Sequence, residues 1–156
     1  VQPSDLDHLL DSHQITGLVN TYFRLLDEQD FDESRFCAIF HHDARIIRPD
    51  GSETVGPHDI AASHARNFAR FESSQHLVTG HDVHVAGDSA ELRFNLVAIH
   101  LWKDRPADAE LNERSFSAGG VVTAALSRLS DGWRLTQVQN RVVWRTGYLG
   151  DMKPTR

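Results

Sequence analysis

The sequence predicts an α+β fold: a cone-shaped α+β barrel with three N-terminal helices packed on a strongly bent antiparallel sheet. Apolar residues recur at helical spacing in three stretches within the first 71 residues, and from residue 75 the period changes to two. Gly80, Gly119 and Gly120 stand inside the strand segments, where glycines mark bulges or sharp bends. Helices followed by a long meander indicate helices covering one face of an antiparallel sheet. A sharp bend in that sheet makes a cone with an internal pocket.

Each element follows from local signals. Asp11 or Ser12 caps a helix starting near His13, with Ile15, Leu18, Val19, Tyr22, Phe23 and Leu26 at helical spacing. A second amphipathic stretch carries Phe31, Phe36, Ile39 and Phe40. Residues 44–56, ARIIRPDGSETVG, read as a small hairpin turned at Pro49-Asp50-Gly51. Gly56-Pro57 opens a third helix with Ile60, Ala61, His64, Phe68 and Phe71 on one side; proline suits a first-turn position. Two strands follow, turned at Ala86-Gly87-Asp88-Ser89. KDRPADAEL is a loop, residues 114–129 and 133–146 are two further strands turned at Ser130-Asp131-Gly132, and the tail after Thr146, with Gly147, Gly150 and Pro154, is irregular.

The composition narrows the functional classes. At 156 residues the chain is one domain's worth, residues 1–156, with a core of about 8–150. Sixteen Lys and Arg against 22 Asp and Glu give a formal charge of -6, without a basic block. That is a poor match to nucleic acid or an anionic membrane. No apolar run approaches the roughly 20 residues of a membrane span. The acidic start VQPSDLDHLLD lacks a signal peptide's basic and apolar regions, so a cytoplasmic protein is expected. A single cysteine, Cys37, excludes an internal disulfide framework; its apolar helix-like surroundings predict an inert core thiol. The ten histidines are the unusual feature, because histidine is suited to proton transfer near neutral pH.

Several polar residues fall where the pattern demands apolar ones. Asp27 lies on the line Ile15, Val19, Phe23, Asp27; it is either an exposed helix-end acid or aimed into the interior. His100 shares a strand face with Leu92, Phe94, Leu96, Ala98 and Trp102, which makes it a satisfied core histidine or a cavity residue. His76 sits in a strand of ambiguous parity. A bulge at Gly80 would turn His76 and Val78 inward before it and Val83 and Val85 inward after it. Asn140 lies among Val138, Val142 and Trp144. The groups His76, His81, His84 and His41-His42-Asp43 lack zinc-ligand spacing, so no metal is expected. No G-x-S-x-G, P-loop or G-x-G-x-x-G motif occurs.

These segments resemble the SnoaL-like dehydratase and cyclase group of the nuclear-transport-factor-two-like superfamily, over about residues 8–150. TYFRLLDEQDF at 21–31 is similar to the helix end of bile acid 7α-dehydratase, which implies catalytic roles for Tyr22 and Asp27. SSQHLVTGH resembles the strand carrying the catalytic histidine of that enzyme and of scytalone dehydratase, at the position of His76. NLVAIHLW resembles the scytalone dehydratase strand with a second active-site histidine, here His100. LSDGWRLTQVQNRVVWRTGYLGDM resembles the group's last hairpin and strand. Leu26 replaces a tyrosine of scytalone dehydratase, Arg48 falls near a second, water-holding tyrosine, and Ala98 replaces an acid of bile acid dehydratase.

The resemblance implies an Asp27–His76 dyad, with side chains about 2.6–3.2 Å apart or bridged by one water. His100 or Tyr22 would polarise a carbonyl or protonate a departing hydroxyl. A substrate-binding wall of Phe23, Leu26, Arg48, Phe68, Phe94, Leu96, Trp102, Val138, Asn140 and Trp144 suits a mostly apolar, ring-bearing substrate. No cofactor is required, and dehydration, isomerisation or cyclisation would share the same enol chemistry. A homodimer through the exposed sheet face is the group-level expectation. The alternatives are a structural small subunit of a ring-hydroxylating dioxygenase, or a ligand-binding module without turnover. The Asp–Arg–Asp arrangement of limonene epoxide hydrolase has no counterpart.

Overall fold

The computed structural model describes residues 3–152; Pro154 lies outside them. Helix α1 spans Pro3–Asp27 and α2 spans Glu33–Ile39. They are followed by strands β1 (Phe40–Ile47) and β2 (Glu53–Val55), helix α3 (Pro57–Phe68), and strands β3 (Phe71–Ala86) and β4 (Ser89–Trp102). A single helical turn, α4 (Leu111–Arg114), precedes β5 (Ser115–Leu129) and β6 (Gly132–Gly147). The six strands form one curved sheet in the order β2-β1-β6-β5-β4-β3, with the helices on its concave side.

The architecture matches the α+β expectation, with local corrections. The sheet is not wholly antiparallel: β1 pairs parallel with β6, which the long intervening chain permits. Phe40 and Phe71 open strands instead of extending the helices before them. Leu111 starts α4 and does not end a loop. Cys37 is exposed, because α2 turns Phe36 and Ile39 to the core and Cys37 away from it.

The largest correction concerns Asp11. Helix α1 starts ten residues before His13, at Pro3, so Asp11 is not a cap. Its buried carboxylate receives Arg128 Nη1 at 2.6 Å, Arg128 Nη2 at 2.7 Å and the Trp133 indole N–H at 3.0 Å. These bonds, Arg128 first, hold its pKa below the usual carboxylate range and clamp α1 to the β5–β6 hairpin. Asp11→Ala is expected to cost about 1–3 kcal/mol, because it leaves the buried Trp133 indole N–H without its acceptor, whereas Arg128 keeps Asp88 and the Gly87 carbonyl. Urea unfolding at pH 7 checks this; a loss below about 0.5 kcal/mol would mean that these bonds do not hold α1 to the hairpin.

The core runs from Ile15, Val19 and Leu25 of α1 through Phe36 and Ile60 to Phe94, Val122 and Leu135 on the concave sheet face. Two irregularities aim the strands. Opposite β4, the register of β3 shifts between Thr79 and Asp82, and Gly80 there has φ 67°, a left-handed conformation that favours glycine. This is the bulge anticipated at Gly80: His76 and Val78 face inward before it, and Val83 and Val85 after it. A second shift, between Gly119 and Gly120 opposite β6, changes which residues of the last strand look inward.

Candidate active site

The site is assembled where the end of α1 meets β3. Asp27 is the last residue of α1, and the chain leaves through a tight turn with Gln29 at φ 52°. The Gln29 side chain donates to the Phe71 carbonyl at 3.3 Å and ties the turn to the start of β3. The acid therefore looks inward at a fixed helix end. Asp27 Oδ1 lies 2.6 Å from His76 Nδ1, and Oδ2 accepts the His76 backbone N–H at 3.1 Å. The His76 side chain is 5% exposed and that of Asp27 26%. Both carboxylate oxygens are thus committed to one residue, and imidazole Nε2 is the ring nitrogen left for other partners.

His76 borders a cavity of about 850 Å³. His100 shares this cavity; the two rings meet edge to face, with centroids 5.4 Å apart. His100 lies between the parallel rings of Phe71, at 4.4 Å and 19°, and Phe116, at 5.8 Å and 10°. Its Nδ1 is 2.7 Å from the Ser74 hydroxyl, its directly paired neighbour across β3 and β4. Burial, reinforced by His76, lowers the His100 pKa to about 3, so the ring is neutral at pH 7.

Tyr22 reaches the same cavity but pairs elsewhere. Its hydroxyl is 2.8 Å from His64 Nε2, among Phe36 and Phe40. Burial pushes the phenol well above its usual range, with Arg48 acting weakly the other way. Burial, then the charges of Arg48 and His76, lower the His64 pKa to about 3. Arg48 lines the cavity from the end of β1, its Nη2 held by Thr54 Oγ1 at 2.6 Å and Ser63 Oγ at 2.7 Å.

The structure thus brings Asp27, His76 and His100 together and places Tyr22 in a second pair. Of the expected wall, Phe23, Leu26, Arg48, Phe68, Leu96, Val138 and Asn140 line the cavity. Three residues do not. Phe94 is core, packed under Phe23 at 5.8 Å and His81 at 5.6 Å. Trp102 is covered by the C-terminal segment, with its indole N–H donated to the Tyr148 carbonyl at 2.8 Å. Trp144 is 44% exposed on the outer sheet face, where its indole covers Gly119. The shift at Gly119/Gly120 is the cause: Val138, Asn140, Val142 and then Arg145 reach the cavity, and Trp144 is turned away.

His64 and Ser74 were not singled out from the sequence. His64 was legible as a histidine on the apolar face of the third helix; Ser74 carried no signal, since its importance lies in the residue opposite. His81 stacks on Phe94, and exposed His84 pairs with Asp82 at 3.4 Å, so the His76, His81, His84 group does not converge. His41, His42 and Asp43 do cluster, with ligand atoms within 4.8 Å, but outside the cavity. Among the described residues no helix is long and apolar enough to cross a membrane.

A bent sheet closed by helices around a cavity is the nuclear-transport-factor-two-like cone fold. A superfamily protein of that kind from Salmonella enterica superposes with a TM-score of 0.74 at 18% identity, covering 94% of this chain and 99% of that one. The sequence matches the model of the SnoaL-like domain over residues 7–139, and the chain belongs to that family. A hexachlorocyclohexane dehydrochlorinase, LinA-type3, from Novosphingobium barchaimii shares the fold, with TM-score 0.76, 19% identity and coverage of 97% and 99%. So does a candidate scytalone dehydratase from Novosphingobium aromaticivorans, with TM-score 0.76, 17% identity and coverage of 90% and 89%. At these identities the similarity is one of fold. A comparison with curated proteins finds no match.

Proposed function

We propose that this protein is an acid–base enzyme of the lyase, isomerase or cyclase kind, acting without a cofactor on a mostly apolar, ring-bearing carbonyl compound. The observation that carries the reading is the two-point grip of Asp27 on His76 at the cavity wall. With Oδ1 accepting Nδ1–H, the free Nε2 keeps its lone pair and removes a proton from carbon next to the carbonyl. The carboxylate stabilises the imidazolium that forms. The C–H electron pair moves into the carbonyl to give an enolate. Neutral His100 receives it: with the Ser74 hydroxyl donating to Nδ1, Nε2–H is the remaining donor. Tyr22 is the alternative donor from its side of the cavity. The enolate then expels a β-substituent, regains a proton at another carbon, or attacks a second carbonyl. Dehydration or dehydrochlorination, the chemistry named for two structures of this fold, would be the first of these outcomes.

Phe23, Phe68, Phe71 and Phe116 provide an aromatic lining for a ring. A cavity of this size favours turnover or ligand binding over a purely structural subunit, for which the cone would be filled. The homodimer reading is supported by the outer sheet face, where Leu77, 50% exposed, lies in one cross-strand row with Val97, Gly119 and Trp144.

The test does not need the natural substrate. Wild-type protein in deuterium oxide is expected to accelerate loss of the α-proton signal of 2-tetralone, followed by proton NMR, over buffer alone. A rate equal to that of buffer for 2-tetralone and a panel of cyclic ketones would favour the ligand-binding module.

A further inference from the structure

Arg48 presents the cavity with a cation that makes no salt bridge to a carboxylate among the described residues. Its described bonds go to two neutral hydroxyls, Thr54 and Ser63, both through Nη2. Nε–H and the Nη1 hydrogens are left uncommitted, at a half-buried position on the cavity wall. Among the described residues no carboxylate pairs with it. Asp50 also lines the cavity and feels the Arg48 charge, but it makes no hydrogen bond to it: Oδ1 accepts the Ser52 backbone N–H at 2.9 Å and the Ser52 hydroxyl at 2.7 Å. Arg70, another guanidinium on this wall, differs: its Nη1 binds Asp151 at 3.0 Å and its Nε the Asn67 carbonyl at 3.1 Å.

A guanidinium withdrawn from water is costly unless it meets an acceptor. Thr54 and Ser63 hold this one in a single orientation, so ordering it for a ligand costs little further entropy. Its field already reaches the Tyr22–His64 pair, and it contributes to keeping that histidine neutral. A neutral His64 adds no second positive charge and leaves Arg48 as the cationic centre of that end. Position supplies the rest. Arg48 directly follows β1 and His76 stands on β3, and these strands lie toward opposite ends of the sheet order. Both border one cavity, so a ligand held at Arg48 extends along the aromatic lining toward His76.

We propose that Arg48 is an anion-recognition residue and that the preferred ligand is a ring compound carrying a carboxylate at the end distant from the carbon presented to His76. The proposal rests on reading this cavity as the substrate site, but its test needs no turnover. Calorimetric binding of 2-naphthoate is compared with that of 2-naphthamide, which has the same shape without the charge. Wild type is expected to prefer the carboxylate by about 10- to 100-fold, the range of a charge-assisted hydrogen bond. Arg48→Gln is expected to abolish the preference by weakening naphthoate alone, Arg48→Lys to retain part of it, and Arg70→Gln to leave it in place. Equal affinity for both probes in wild type, no binding of either, or loss of the preference in Arg70→Gln but not Arg48→Gln would overturn the assignment. Unchanged naphthamide binding shows that the variants keep the cavity. If the carboxylate preference holds while the protein exchanges no ketone proton, the subsite stands and the enzymatic reading fails; the converse result removes only the subsite.

Discussion

His76→Ala is expected to lower α-proton exchange by about 10²–10⁴-fold, the usual contribution of a positioned general base. The fold should survive, at a stability cost of about 1–3 kcal/mol for the carboxylate oxygen left without its partner. A histidine with only a core role would show the stability loss without the kinetic one, so exchange rate and unfolding midpoint are measured on the same protein. Asp27→Asn separates charge from shape. Both oxygens of Asp27 accept, one from Nδ1–H and one from the His76 backbone N–H. An asparagine has only one oxygen. Its amide must face either the backbone N–H, where two donors collide, or Nδ1, where it forces the proton onto Nε2. The second arrangement leaves Nε2 unable to accept. The variant is therefore expected to be slowed on the order of 10²–10⁴-fold even where a ligand still binds. Wild-type exchange rates in both variants would take the base assignment away from this pair.

Stability should fall steeply on mild acidification. The pKa of His64 and His100 is lowered from 6.5 to about 3 in the folded protein, in each case chiefly by burial. Between those pH values the unfolded chain binds the protons that the folded chain refuses. The stabilisation from holding these rings neutral is complete above about pH 6.5 and is lost as pH falls toward 3. Each group contributes a slope of up to about 1.4 kcal/mol per pH unit, so the two together would remove at most about 4 kcal/mol between pH 6.5 and 5. His81, lowered by burial as well, acts in the same direction; exposed His58, raised by Glu33, acts in the opposite one. Urea unfolding at pH 7, 6 and 5 measures the slope, and His100→Gln is expected to reduce it by about one proton. A flat profile between pH 7 and 5 would mean that these rings titrate normally in the folded state.

Much of this candidate site is legible in the sequence, because side-chain periodicity records which face of an element is buried. The line Ile15, Val19, Phe23, Asp27 placed an acid on the inner face of α1, and the alternation of β4 did the same for His100. Gly80 marked the bulge that turns His76 inward. At a helix end periodicity is silent. Nothing in the local sequence distinguishes an acid that frays into solvent at a helix end from one held inward. The Gln29 turn and the two donors of His76 made that choice for Asp27.

The sequence by itself determined the order of helices and strands, the turns, the inward faces and the residue types available for proton transfer. The tertiary structure decided which inward residues meet open space. Phe94, Leu96, Ala98, His100 and Trp102 share one strand face, yet Leu96, Ala98 and His100 border the cavity while Phe94 and Trp102 do not. The sheet packs onto α1 at Phe94, and the C-terminal segment covers Trp102. One shift of register at Gly119/Gly120 sent Trp144 outward and brought Arg145 in its place to the wall. Ser74 and His64 gained their partners only through pairing across 26 and 42 residues. Burial patterns are local and survive in the sequence; sheet curvature and long-range pairing depend on every strand at once, and it is these that separate a cavity from a core.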